Sequence, residues 1–182
     1  MILRNLILIP SLLIFLNLSS QDIRRTENWY FGVLAGINYS SGYPVPVYNG
    51  KIWDDTFRGC VTMSDTNGNL LFYSNGWYTY NKNHIVMATQ FSDLRTMQVI
   101  SFLKPGSENE YYLFSVPYYA GSANYYMTFY SIIDMSLNGG LGGASPPVIM
   151  DAAWDAAEKL TATYHRNKQD VWVITRKFFE DQ

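Results

Sequence analysis

The chain has 182 residues, and its 13 Lys and Arg against 15 Asp and Glu leave a formal net charge of −2. Hydrophobic residues make up 48% and charged residues 15%, which excludes a disordered chain and, with no basic surplus, argues against a nucleic-acid binder. The aromatic share of 16%, from 15 Tyr, 10 Phe and 5 Trp, together with 13 Gly, points to one all-β domain.

Residues 1–20 have the layout of a cleaved export signal. Arg4 precedes an apolar run from Leu6 to Leu16, and the small residues Ser19 and Ser20 follow. The run is shorter than the roughly 20 apolar residues a spanning helix needs, and Pro10 and Asn17 interrupt it further, so no stable membrane span is expected. Cleavage between Ser20 and Gln21 fits best. It leaves residues 21–182 as the mature domain, and loss of Arg4 takes the net charge to −3. The single cysteine, Cys60, allows no internal disulfide. Its surroundings, Gly59 to Met63, resemble a strand on which it would be a small buried hydrophobe.

Three stretches then share one design of strand, polar turn and aromatic or β-branched strand. They run from Gly59 to Gly76, from Gln98 to Val116 and from Lys159 to Lys177. Their turns are Asp65 to Asn69, Lys104 to Asn109, and Arg166 to Gln169. Gly, Asn and Pro clusters between β-rich runs are hairpin signals; Gly68 can supply a positive φ and Pro105-Gly106 presets the second turn. Anchor positions Cys60, Val99 and Leu160 are spaced at intervals that suit a unit of about 40 residues with one insertion, the length of a four-stranded propeller blade. Tyr125 to Asp134 reads as a long strand, Leu137 to Gly143 as too glycine-rich to be regular, and Asp151 to Lys159 as a short helix capped by Asp151.

These features predict a partial β-propeller of about two and a half to three blades of antiparallel strands over residues 21–182. A closed ring takes about four to eight blades, so the chain reads as truncated. A β-sandwich is the alternative.

The residues also carry a resemblance. Asn28 to Gly32, Gly59 to Asp65, Asn67 to Tyr73, Asn81 to His84 with Met87, Lys104 to Gly106, Tyr111 to Phe114, Asp134 to Gly142 and Glu158 to Ala162 form an ordered string of short motifs. This string resembles the N-terminal propeller region of large secreted Bacteroidetes proteins, of the gliding-motility-associated kind that end in a type IX secretion sorting domain. The resemblance implies export, a surface or extracellular location and a propeller. It supplies no catalytic motif to carry over, and this chain lacks the sorting domain. If it is a fragment, the missing blades would be its partner in cis.

Asp65, Asn67 and Asn69 have the spacing that opens a calcium loop, but the closing Glu is missing and the same residues suit a hairpin turn. There is no zinc-protease, paired-cysteine, phosphate-loop or nucleophile-elbow motif, and no cofactor is expected. Asp54 and Asp55 are adjacent, so on a strand they would point to opposite faces. Asp151, Asp155 and Glu158 would share one face of the expected helix. Trp77, Tyr78 and Tyr80 read chiefly as core. Tyr118, Tyr119, Tyr125 and Tyr126 bracket a Gly-Ser-Ala-Asn tip and are the candidate ligand-binding residues. The favoured function is a secreted or cell-surface module that binds an extracellular glycan or protein, or acts as a scaffold, without catalysis. The alternatives are an extracellular hydrolase of polysaccharide or peptide with its site on the propeller axis, and a truncated product with no independent function.

Overall fold

A computed structural model describes residues 23–53, 59–89, 95–118, 127–150 and 156–177. Among them the chain is all-β, with several antiparallel sheets and only two short 3₁₀ turns, Ile23–Thr26 and Asn138–Gly140. No helix among these residues is long and apolar enough to cross a membrane. The export signal, with Ser20 and Gln21, lies outside them.

Four sheets follow one another along the chain. The first joins β1 (Asn28–Tyr30), β2 (Gly36–Asn38) and β3 (Val45–Val47). Pro46 sits on β3, an edge strand of that sheet, where a missing N–H is tolerated. The second is a four-stranded meander of β4 (Val61–Ser64), β5 (Leu70–Ser74), β6 (Tyr78–Asn81) and β7 (Val86–Thr89). In the third, β8 (Arg95–Leu103), β9 (Glu110–Tyr118) and β10 (Phe129–Asp134) are followed by an outer strand broken into β11 (Gly143–Ala144) and β12 (Val148–Ile149), both paired to β10. Ser145 marks the break. Its N–H donates to Ile132 O at 2.8 Å and its hydroxyl accepts from Ile132 N at 2.9 Å, before Pro146 and Pro147 remove two donors. The fourth sheet pairs β13 (Ala156–Tyr164) with β14 (Val171–Lys177).

The sheets pack face on face in chain order. Adjacent strand residues point to opposite sides, so each inner sheet has two apolar faces. Tyr73 and Tyr80 of the second sheet bury against Tyr30 and Ile52 from the first sheet and its exit loop. Phe72, on the other side, packs with Val99, Tyr111, Leu113 and Ile133 of the third. Phe114 and Val116, on the far side of the third, pack with Leu160 of the fourth. The first strands of successive sheets lie side by side: β1 beside β4, β4 beside β8 and β8 beside β13. Aromatic rings fill these interfaces because they bury large areas and stack, as Tyr30 does on Tyr73 at 4.6 Å.

All three expected hairpins form: β4–β5, β8–β9 and β13–β14. One local expectation needs correction. Ala156 to Lys159 belong to β13, not to a helix, because their backbone joins the ladder with β14; residues 151–155 lie outside the description. Glu158 is therefore on a strand, and the shared helical face with Asp151 and Asp155 does not arise. Leu137 to Gly143 is an irregular turn, with Asn138, Gly139, Gly140 and Gly142 all at positive φ, held by Gly140 and Gly142 N–H both donating to Leu137 O and by Asn138 Nδ2 donating to Gly142 O at 2.9 Å. Cys60 is half-buried and lies one residue ahead of β4.

Candidate functional site

Two places gather polar groups from several elements. The first lies between the first and second sheets. Tyr30 Oη donates to Asn49 Oδ1 at 2.9 Å, Asn49 Nδ2 lies 2.9 Å from His84 Nε2, and His84 Nδ1 lies 3.1 Å from Tyr73 Oη. The backbone N–H of Lys51 donates to the same Tyr73 oxygen at 3.1 Å. With Asn49 donating to Nε2, the imidazole proton sits on Nδ1 and points at Tyr73.

The turn between β6 and β7 presents His84. Asn81 Oδ1 accepts from Asn83 and Ile85 N–H, and His84 N–H donates to Asn81 O. This leaves His84 at a φ of +61°, a region His tolerates better than most residues. Burial pushes the Tyr73 phenol well above its usual range, against the opposing hydrogen bond from Lys51. Burial, and then the Lys51 charge, lowers the His84 pKa. Both groups are thereby held neutral near pH 7. A phenol that resists ionisation is a poor proton donor, and the hydrogen bonds of the cluster tie the exit of β3 to the second sheet.

The second place is an open cleft of about 310 Å³ beside the fourth sheet, at the lower end of the about 300–1,000 Å³ typical of ligand pockets. Gln98 of β8 forms one wall, and its Oε1 accepts from Leu160 N–H at 3.1 Å. Lys159, Thr161, Ile174 and Arg176 line the rest. The lining is chiefly apolar, and Lys159 and Arg176 are its cationic residues.

Many of the residues singled out in the sequence lie outside what the structure describes. Tyr118 is the last residue of β9, and nothing is described of its side chain; Tyr119, Tyr125 and Tyr126 lie outside the described residues, as do Asp54 and Asp55. Asp65 braces its own turn: Oδ1 accepts from Asn67 and Asn69 N–H at 2.8 Å each, and Oδ2 from Asn69 Nδ2 at 2.9 Å. Burial opposes these bonds, yet together with the Arg25 charge they hold the carboxyl below its usual range. Tyr80 is buried and Trp77 and Tyr78 are half-buried, stacked on each other at 5.1 Å. Among the described residues no three His, Cys, Asp or Glu converge in a way that could hold a metal ion.

Sequence reasoning missed both places. Asn49 and His84 are 35 positions apart, as the fold alone unites them. Gln98 and Leu160 are 62 apart. Comparison with family models, curated proteins and solved structures finds no match.

Proposed function

We propose that the chain is an exported module built as part of a β-propeller, whose role is to bind an extracellular glycan or protein, or to act as a scaffold, rather than to catalyse. The observation that carries this reading is the serial packing of the sheets. Each inner sheet uses both faces, and the first strands of successive sheets adjoin. Propeller blades pack in this way, because no blade can hide both faces alone. A two-layer β-sandwich buries only one face of each sheet. The polar cluster at His84 supports the non-catalytic part of the reading, since its hydrogen-bonding groups are used to join the first and second sheets.

The test uses the secreted, purified chain on an array of extracellular polysaccharides and matrix proteins, paired with hydrolysis assays on the same materials. Retention on one ligand class without product release is expected. Release of oligosaccharides or peptides, abolished by substitution of acidic residues, would overturn the reading in favour of a hydrolase.

A further inference from the structure

We infer that the hairpin β13–β14 binds an acidic polysaccharide, one carrying carboxylate or sulfate groups, along its outward row from Trp172 to Arg176. The inference rests on the binding role proposed above and names the ligand class for it.

Charge selects this occupant. From Ala156 to Lys177 the hairpin holds five of the chain's 13 Lys and Arg, namely Lys159, Arg166, Lys168, Arg176 and Lys177. It holds two of the 15 Asp and Glu, Glu158 and Asp170. The hairpin is therefore +3 in a chain of net −2, and everything outside it sums to −5. Asp170 is engaged within its own turn, where Oδ2 accepts from Asn167 Nδ2 at 2.7 Å. A concentration of positive charge in an otherwise acidic chain directs an anionic ligand to that place.

The register sets two cations beside one cleft. Thr161 is opposite Ile174, Thr163 is opposite Trp172, and Leu160 is opposite Thr175. Leu160 and Val173 pack towards the third sheet, so Thr161, Thr163, Trp172 and Ile174 face outward, and all four are exposed. Lys159 and Arg176 are the next residues beyond the Leu160–Thr175 pair; both are exposed and both line the cleft of about 310 Å³. Neither has an ion-pair partner among the described residues. Like charges facing one another across a strand pair are destabilising, and an anion bound between them reverses that. Gln98 Oε1 is taken by the Leu160 N–H, so the part of its amide left for a ligand in the cleft wall is the N–H₂ donor.

The other end of the row is an aromatic platform. Trp172 is 58% exposed, and its ring meets His165 edge-on at 5.7 Å, which holds it in place. A fixed flat ring stacks on the apolar face of a sugar, and the hydroxyls of Thr161 and Thr163 can each donate and accept. Trp172 and Arg176 are four residues apart along β14, about 14 Å at the rise of a strand. That reach suits a chain of sugars better than one small anion. An acidic polypeptide would use the cations but leave the platform idle.

Calorimetric titration of the purified mature chain with heparin, polygalacturonate and dextran tests this. Binding of the sulfated or the carboxylated polymer, without binding of neutral dextran, is expected, and it should weaken as salt is raised. Lys159→Gln and Arg176→Gln should each lower affinity by about tenfold, as loss of a charge-assisted hydrogen bond does, and Trp172→Ala should do the same. Near-UV circular dichroism establishes that each variant is folded; should Trp172→Ala fail to fold, the two exposed cations and the dextran comparison still decide. Failure to bind either acidic polymer, or equal affinity for dextran, overturns the inference. Equal binding of polyglutamate or DNA, indifferent to Trp172→Ala, also overturns it, in favour of a charged patch without sugar recognition. Retention of a neutral glycan or a matrix protein with both cations dispensable sinks this inference alone and leaves the binding role. Turnover of a bound acidic polymer sinks the non-catalytic reading and leaves the site standing.

Discussion

Phe72 and Tyr73 are consecutive in β5, both fully buried, and face opposite ways: Phe72 into the third sheet and Tyr73 into the first. The second sheet therefore has no wet face along its centre. Leu113 and Phe114 repeat the relationship in β9, with Leu113 towards the second sheet and Phe114 towards the fourth. These two pairs of neighbours hold the series of sheets together.

Tyr73 also carries the polar join to the first sheet. Tyr73→Phe keeps the ring and its stacking at 4.6 Å on Tyr30 and 5.1 Å on Tyr80, but removes the acceptor of the Lys51 N–H and the partner of His84. Because Lys51 is exposed and His84 half-buried, the loss should be about 1 kcal/mol, that of an ordinary hydrogen bond. Urea unfolding of the two proteins measures it, and equal midpoints would contradict the brace.

The pH dependence of stability follows from His84. Its folded pKa is lowered, by burial first and then by Lys51, so below the unfolded value of about 6.5 the unfolded chain binds the extra proton first. The His84 contribution is fully present above about pH 6.5 and is lost as pH falls through the folded pKa. Denaturation midpoints between pH 7.5 and 5 should fall in the native protein, and His84→Gln should flatten that part of the curve. An unchanged slope in the variant would contradict the assignment.

Two turn glycines separate conformational strain from crowding. Gly68 and Gly106 have φ of +85° and +77°. A Cβ at Gly106 meets nothing within 4 Å, whereas one at Gly68 runs into the Glu27 carboxylate. Gly106→Ala should cost about 1–2 kcal/mol, the strain of a left-handed residue. Gly68→Ala should cost more, because the Glu27 side chain must also move. Thermal melts of both variants decide, and a smaller loss at Gly68 would contradict the crowding.

Export is testable at one bond. Expression of the full chain in a secreting bacterial host should give a mature protein beginning at Gln21. N-terminal sequencing that returns Met1 from the purified extracellular or periplasmic protein would contradict cleavage.

The hairpins were legible because their turns are encoded locally. Asp65, Asn67, Gly68 and Asn69 satisfy one another within five residues, and no distant contact is needed to read them. Residues 156–159 were misread because Ala and Glu favour helix, while the pairing of Ala156 with Lys177 is a long-range choice that overrides propensity. The first sheet was harder still. Its strands are three residues each, too short to show an alternating pattern. The cleft and the His84 cluster depend on which strands adjoin, and that information is distributed over the whole core.

The third sheet is covered on both faces, and two double-mutant cycles test this. One joins Phe72 and Tyr111, whose rings meet edge-on at 5.4 Å; the other joins Phe114 and Leu160 in the cluster on the opposite face. Contacting core residues show coupling of about 0.5–3 kcal/mol, and the serial arrangement predicts coupling in both cycles. Coupling in only one of them would leave the third sheet with a solvent face, as in a sandwich, and would contradict the account.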